Sequence, residues 1–314
     1  MNNLFTLDDI VLIPAVFSKI KHRSQCSPYI REHSLLPGTN AKLPLFTAPM
    51  SCVINDKNYT TFKNNGINTI IPRNVDINTR LKLAKDTFVA LGLEEFKTLI
   101  DNNDSLPHKM FILIDIANPE TYIAYSMIGV DYVRCGIGTS PVCTTSANSG
   151  VHYPMGSLLE GIKEKKLYYG NKGIKFAKIV ADGGFSNFDQ INKALALGAD
   201  FVMLGKIFAK AEEACGEIID FPNYDEEETV SRYREYYGMS TKRAQVEFGK
   251  EGNKTAEGIT TLVQIDYTIA GWVDNFKHYL QSAMSYTDCV TLDEFKTKVQ
   301  YSTITPNARI AYFK

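Results

Sequence analysis

Residues 131–154 read DYVRCGIGTSPVCTTSANSGVHYP, and the rest of the chain is organised around this stretch. A short β-prone run, Asp131–Arg134, feeds a loop with glycines at 136 and 138, which then presents Cys143 beside Thr144 and Thr145. Glycine lets a backbone turn tightly and approach a ligand closely. A thiol held in such a loop, among hydroxyls and free amides, is a candidate nucleophile. The competing reading is a buried structural thiol, the commoner fate of free cysteine.

Outward from this stretch the chain alternates short apolar runs with helix-compatible segments, the pattern of a parallel α/β architecture. The candidate strands are Leu45–Ala48, Asn68–Pro72, Thr87–Leu91, Phe111–Ile116, Asp131–Arg134, Lys175–Ala181 and Asp200–Leu204. Helices are expected over Asn58–Asn65, Phe96–Asp101, Met155–Lys165 and Phe188–Leu197. In the last of these, Phe188, Ile191 and Leu195 share one face, with Asp189, Asn192 and Lys193 on other sides. Residues 206–262 are polar and carry the acidic run 225–228, which reads as a solvated loop.

Composition narrows the function classes. The 314 residues are 44% hydrophobic and 22% charged, as in an ordinary globular protein. A net charge of −1 supplies no basic field for nucleic acid or membrane surfaces. Six cysteines without regular close spacing fit neither a disulfide framework nor a zinc ribbon. With no apolar run of spanning length and no signal-peptide pattern, the expectation is a cytoplasmic protein with reduced thiols.

The central loop resembles the catalytic loop of the IMP dehydrogenase/GMP reductase family, roughly G-I-G-x-G-S-x-C-x-T. VADGGF at 180–185 and ALGADFVMLG at 196–205 follow in the family's order. YYGMS at 236–240 and Ala256-Glu257-Gly258 are most similar to GMP reductase. The likeness starts near Asp8 and runs, with gaps, to about Tyr286. It implies a TIM-type (β/α) barrel with functional groups at the C-terminal ends of the strands. Arg73, Asp115, Cys143, Asp182 and Gly205 all fall at or after candidate strand ends. Seven candidate strands stand against the usual eight, and too few residues separate Asp115 from Gly136 for the family's extra βα unit with its Gly-Asn motif. The expectation is one catalytic domain over 1–314, its barrel lacking one unit or closed irregularly. A long flap over about 206–262 completes it, without a regulatory insertion.

The resemblance also implies the chemistry. The family's cysteine thiolate adds to C2 of a purine nucleotide. GMP reductase expels ammonia, and NADPH delivers hydride to C2 of the resulting thioimidate. By this likeness Cys143 is the nucleophile, and Thr145 and Glu257 handle the proton at the departing amine. Ser140, Asp182, Gly183, Gly184, Gly205, Lys206, Gly238, Met239, Ser240 and Gly258 bind the nucleotide. A carboxylate suits ribose hydroxyls, and glycine amides suit phosphate. Arg23, Arg73, Asp115, Ile116, Ala117, Ile137, Gly138, Lys254 and Ser282 fall to the cofactor, NADPH rather than NAD. The carbonyls of Gly136, Gly138 and Cys143 are candidates for a potassium ion, and a homotetramer is implied.

Several positions depart from the family: Pro141 for a serine, Ser146 for a basic residue, Ser51 for an acid after Pro49-Met50, Lys254 for a flap arginine and Ile259 for a lysine. They surround substrate and cofactor, so an altered nucleotide, such as a deoxynucleotide, is one expectation. The alternatives are an IMP-dehydrogenase-like oxidation of IMP to XMP with NAD, and a non-catalytic nucleotide-binding protein. The first lacks the family's Arg-Tyr flap pair within 241–262, and the second has no use for a nucleophile.

Overall fold

Short apolar runs become parallel strands because both of their faces are covered. The computed structural model describes residues 3–30, 41–102, 110–112, 115–140, 142–222, 230–247, 255–256 and 258–312, with only the backbone at 110–112, 115 and 312. Its strands are β1 (Ile10–Leu12), β2 (Leu45–Thr47), β3 (Ile70–Ile71), β4 (Phe88–Leu91), β5 (Met110–Ile112), β6 (Asp115–Ile116) and β7 (Tyr132–Cys135). They continue as β8 (Lys178–Asp182), β9 (Phe201–Leu204), β10 (Ile218–Pro222), β11 (Val230–Tyr237), β12 (Thr260–Gln264) and β13 (Tyr301–Thr303).

Among the described residues, pairing gives two parallel sheets rather than a closed barrel. One runs β2-β9-β8-β7-β6, the other β3-β4-β5, and a parallel bridge between Phe46 and Asn68 joins them. The single strand expected over Phe111–Ile116 is described in two pieces facing opposite neighbours, β5 on β4 and β6 on β7. The arc of strands therefore begins and ends within one apolar run, 110–116.

Both sheets enclose the same interior. Phe46, Phe88, Tyr132 and Phe201, from β2, β4, β7 and β9, meet largely edge to face with ring centroids 5.0–6.2 Å apart. Layers of inward side chains from different strands fill a barrel core in this way. Truncating a buried phenylalanine here costs about 3–5 kcal/mol.

Helices cover the outside. Asn118 accepts from the Glu120 amide at 2.8 Å and starts the helix Pro119–Met127, whose proline needs no hydrogen-bond acceptor. The helix Phe188–Ala196 buries Ile191 and Leu195 as expected, but Asn192 and Lys193 are buried too. The helices Ile269–Tyr286 and Leu292–Lys298 pack against it, with Phe188 stacked on Trp272 at 5.3 Å. Lys193 is satisfied there by Asp189 at 2.8 Å. The polar region 206–262 also differs from a plain loop: β10, β11 and β12 form an antiparallel sheet.

Candidate active site

Parallel strands open all their C-terminal ends on one side, and those ends wall a cavity of about 760 Å³. Met50 follows β2, Arg73 follows β3, and Leu91 and Gly92 end β4. The loop after β7 contributes Gly136, Ile137, Gly138, Ser140, Cys143 and Thr145. Asp182, Gly183 and Gly184 come from β8, and Gly205 and Lys206 from the end of β9. Tyr236, Gly238, Met239, Ser240 and Gly258 close the remaining side.

Two glycine loops interlock to place the cysteine. Gly136 has φ 126° and Gly183 φ 96°. A Cβ on Gly136 would run into the Asp182 carbonyl, and one on Gly183 into the Thr139 side chain. Only glycine allows this approach, which Thr139 Oγ1 secures by donating to the Asp182 carbonyl at 2.9 Å. The Cys143 amide donates to Ser140 O at 3.0 Å, and Cys143 Sγ lies 3.3 Å from Thr145 Oγ1. Gly258 pairs with Cys143 in an antiparallel bridge, and the Ile259 amide donates to Val142 O at 3.0 Å. Residues 258 and 259 thus rest on the cysteine loop. Glu257, Lys254, Pro141 and the Asp115 side chain lie outside the described residues.

Cys143 is half-buried at the cavity wall. Burial pushes the Cys52 thiol up to about 11 and the Cys215 thiol up to about 12, so both stay protonated and inert at neutral pH. Asp182 is ion-paired with Arg134 Nη1 at 3.3 Å. The Tyr236 hydroxyl sits beside Gly205 and donates to Met50 Sδ at 3.8 Å, with the Ser140 side chain and the Lys206 amide close by. Burial above all raises its pKa, so it stays protonated and can donate. On the β4 side, Glu95 accepts from the Gly92 amide at 2.8 Å and is held by Arg80 at 2.5 Å. Burial alone would raise the Glu95 carboxyl; Arg80, the Gly92 amide and the Arg73 charge outweigh it and hold it low.

Not every expected site residue meets the cavity. Arg23 Nη1 donates to Ser282 Oγ at 3.3 Å on an exposed face, and neither lines it. Ile116 is a core residue, and Ala117 is outside the lining as well. Conversely, Arg134, Tyr236, Met50 and Phe185 line the cavity without having been expected there. For Arg134 a signal existed. Period-two alternation in DYVRC puts Arg134 on the same side as Tyr132, whose ring joins the interior cluster.

Among the described residues, no group of three or more His, Cys, Asp or Glu is placed to hold a metal ion, and no helix is long and apolar enough to cross a membrane. The model of the IMP dehydrogenase / GMP reductase domain matches residues 96–311. The chain belongs to this family. A GMP reductase of Vibrio campbellii is 33% identical over 177 residues, covering 56% of this chain and 47% of that protein. The chain thus spans about half the length of the Vibrio relatives it matches. Alignments with the GMP reductases of Delftia acidovorans, 26% identical over 95% of both chains, and Bacillus subtilis, 27% identical over 94% of this chain and 95% of that protein, run nearly end to end.

Proposed function

We propose that the protein is a purine-nucleotide oxidoreductase that reductively deaminates GMP, or a related guanine nucleotide, to IMP with NADPH. One observation carries this reading: Cys143 and Thr145 face the same cavity as Asp182, Gly183, Gly184, Gly205 and Tyr236. A cavity of about 760 Å³ lies within the ~300–1,000 Å³ range of small-molecule sites.

The nucleotide phosphate lies against Gly205, Lys206, Ser140 and the Tyr236 hydroxyl, whose donors suit an oxyanion. The Tyr236 hydroxyl also makes up for the donor missing at Pro141. Asp182, oriented by Arg134, accepts from the ribose. The base then reaches Cys143, with Met239 and Ser240 on its flap side. Cys143 Sγ, as thiolate, adds to C2; the 2-amino group takes a proton and leaves as ammonia, giving a covalent thioimidate. Thr145 and Glu257 pass that proton. Arg73, Leu91, Gly92 and Leu93 line the β4 side of the cavity, two leucines and a cation that suit a nicotinamide ring and its carboxamide. A nicotinamide cofactor held there would supply hydride to C2, and Cys143 Sγ would leave C2 as the thiolate.

A potassium ion on the carbonyls of Gly136, Gly138 and Cys143 belongs to the same reading. So does a homotetramer in which the exposed Arg23–Ser282 face meets another subunit. The test is loss of reduced-nicotinamide absorbance with GMP, dGMP or IMP, with ammonia assayed alongside. Oxidation matched by ammonia on a guanine nucleotide supports the reading and names the sugar. Nucleotide binding without turnover by either cofactor direction would leave a binding protein instead.

A further inference from the structure

Gly238, Met239 and Ser240 wall the cavity and form one hydrogen-bonded unit with the helix Lys242–Glu247. Thr241 Oγ1 donates to Gly238 O at 2.8 Å, the Ala244 amide to Thr241 Oγ1 at 3.2 Å, and the Gln245 amide to Thr241 O at 2.9 Å. The far end of this unit returns to the segment after β2 through Glu247. Its Oε2 accepts from Ser51 Oγ at 2.8 Å and its Oε1 from the Tyr237 hydroxyl at 2.6 Å.

Each hydroxyl has one proton, and the carboxylate takes both. Ser51 Oγ and the Tyr237 oxygen lie 3.1 Å apart, so the two hydroxyls and the carboxylate form one cluster. Arg243 lies over the Tyr237 ring at 4.8 Å, pairs with Glu235, and reaches Glu247 at 3.7 Å. Ser51 follows the cavity residue Met50, and Tyr237 precedes Gly238. One carboxylate thus ties two walls of the cavity together.

We propose that Glu247 is a positioning residue: by sharing its carboxylate between Ser51 and Tyr237 it fixes the wall of Gly238, Met239 and Ser240 against the end of β2. This rests on the cavity being the nucleotide site, so the test reads the cavity without turnover. Gly258, which pairs with Cys143, lies against Thr241 of the same unit, so loosening the unit uncovers the thiol.

The experiment measures the rate at which iodoacetamide alkylates Cys143, read on its peptide by mass, in four proteins: wild type, E247Q, S51D and S51D/E247Q. GMP affinity by calorimetry and thermal unfolding accompany it. In S51D two carboxylates face each other with one hydroxyl proton between them, and alkylation rises about tenfold. E247Q gives a smaller rise. In S51D/E247Q the carboxylate has moved to position 51, where it accepts from the Tyr237 hydroxyl and from the side-chain amide introduced at position 247. The rate then returns to within about twofold of wild type.

Cure of S51D by E247Q is something a packing role does not produce. Unchanged alkylation in S51D, or effects that add in the double variant, would overturn the proposal. If S51D alone fails to fold, recovery of folding and slow alkylation in the double variant supports the proposal, and no recovery overturns it. The pattern holding without nicotinamide oxidation would retain the role of Glu247 and discard the reductase reading.

Discussion

Cys143 differs from Cys52 and Cys215 in what surrounds it. Cys52 and Cys215 are held protonated by burial, whereas Cys143 faces the cavity beside Thr145 Oγ1. Cys143→Ala is expected to abolish turnover while leaving nucleotide binding within about threefold, since the removed sulfur serves bond formation more than affinity. Calorimetry beside the absorbance assay checks both, and retained turnover would remove the covalent mechanism. Tyr236 tests the other end of the nucleotide. Tyr236→Phe keeps the buried ring and removes only the hydroxyl beside Gly205, Ser140 and Lys206. GMP binding is expected to weaken about tenfold, the worth of a hydrogen bond to a charged group, with guanosine binding unchanged. Equal losses for both would move the phosphate elsewhere.

Elements were legible in the sequence where both faces of a strand are covered. The runs at 45–48, 87–91 and 200–204 are apolar but for one residue each, 131–134 holds Tyr132 and Val133 between polar ends, and each became a strand within a residue or so. The sheet β10-β11-β12 was not legible, because few of its positions are buried and one of those carries a charge. In SRYREYY the fully buried residue is Arg234, whose guanidinium donates to the carbonyls of Ala209 and Ala211, both at 2.7 Å, and of Glu212 at 3.3 Å. A hydropathy pattern points such a residue outward; only the buried carbonyls at and just after the end of the helix Lys206–Ala209 call it in. Asn192 and Lys193 misled for the same reason, since later helices cover a face that the local pattern leaves to solvent. The cysteine loop was legible through its glycines, and the structure gives that a test. Gly136→Ala must adopt φ 126° and push a Cβ into the Asp182 backbone, which cannot rotate away. A loss of about 2–4 kcal/mol in urea unfolding is expected. A loss below about 1 kcal/mol would mean that the two loops do not meet this closely.

The whole molecule separates chemistry from stability along the strand axis. At the C-terminal strand ends lie the cavity and its thiol; at the N-terminal ends lie ion pairs and a buried amine. There Asp200 accepts from the Ile179 amide at 2.9 Å and from Lys296 at 3.0 Å. Lys42, three residues before β2, is only 6% exposed, and its Nζ donates to Lys63 O at 3.2 Å. Burial, reinforced by the Lys63 charge and opposed by Asp86, lowers its pKa to about 8. The unfolded chain holds that proton up to ~10.4. Between these values the unfolded state binds more protons than the folded one, so stability rises with pH across the window. Below about pH 8 the folded state carries the full cost of a buried ammonium; above ~10.4 that cost is gone. Lys42→Met removes the titration and keeps the stem, so every other ionisable group cancels in the comparison. Relative to this variant, wild type is expected to gain about 2–3 kcal/mol of unfolding free energy from pH 7.5 to 10.5. Urea unfolding of the two proteins at several pH values reads that difference, and parallel curves would mean that the amine is solvated. Because the change sits at the opposite end of the strands, Cys143 alkylation should be the same in both proteins.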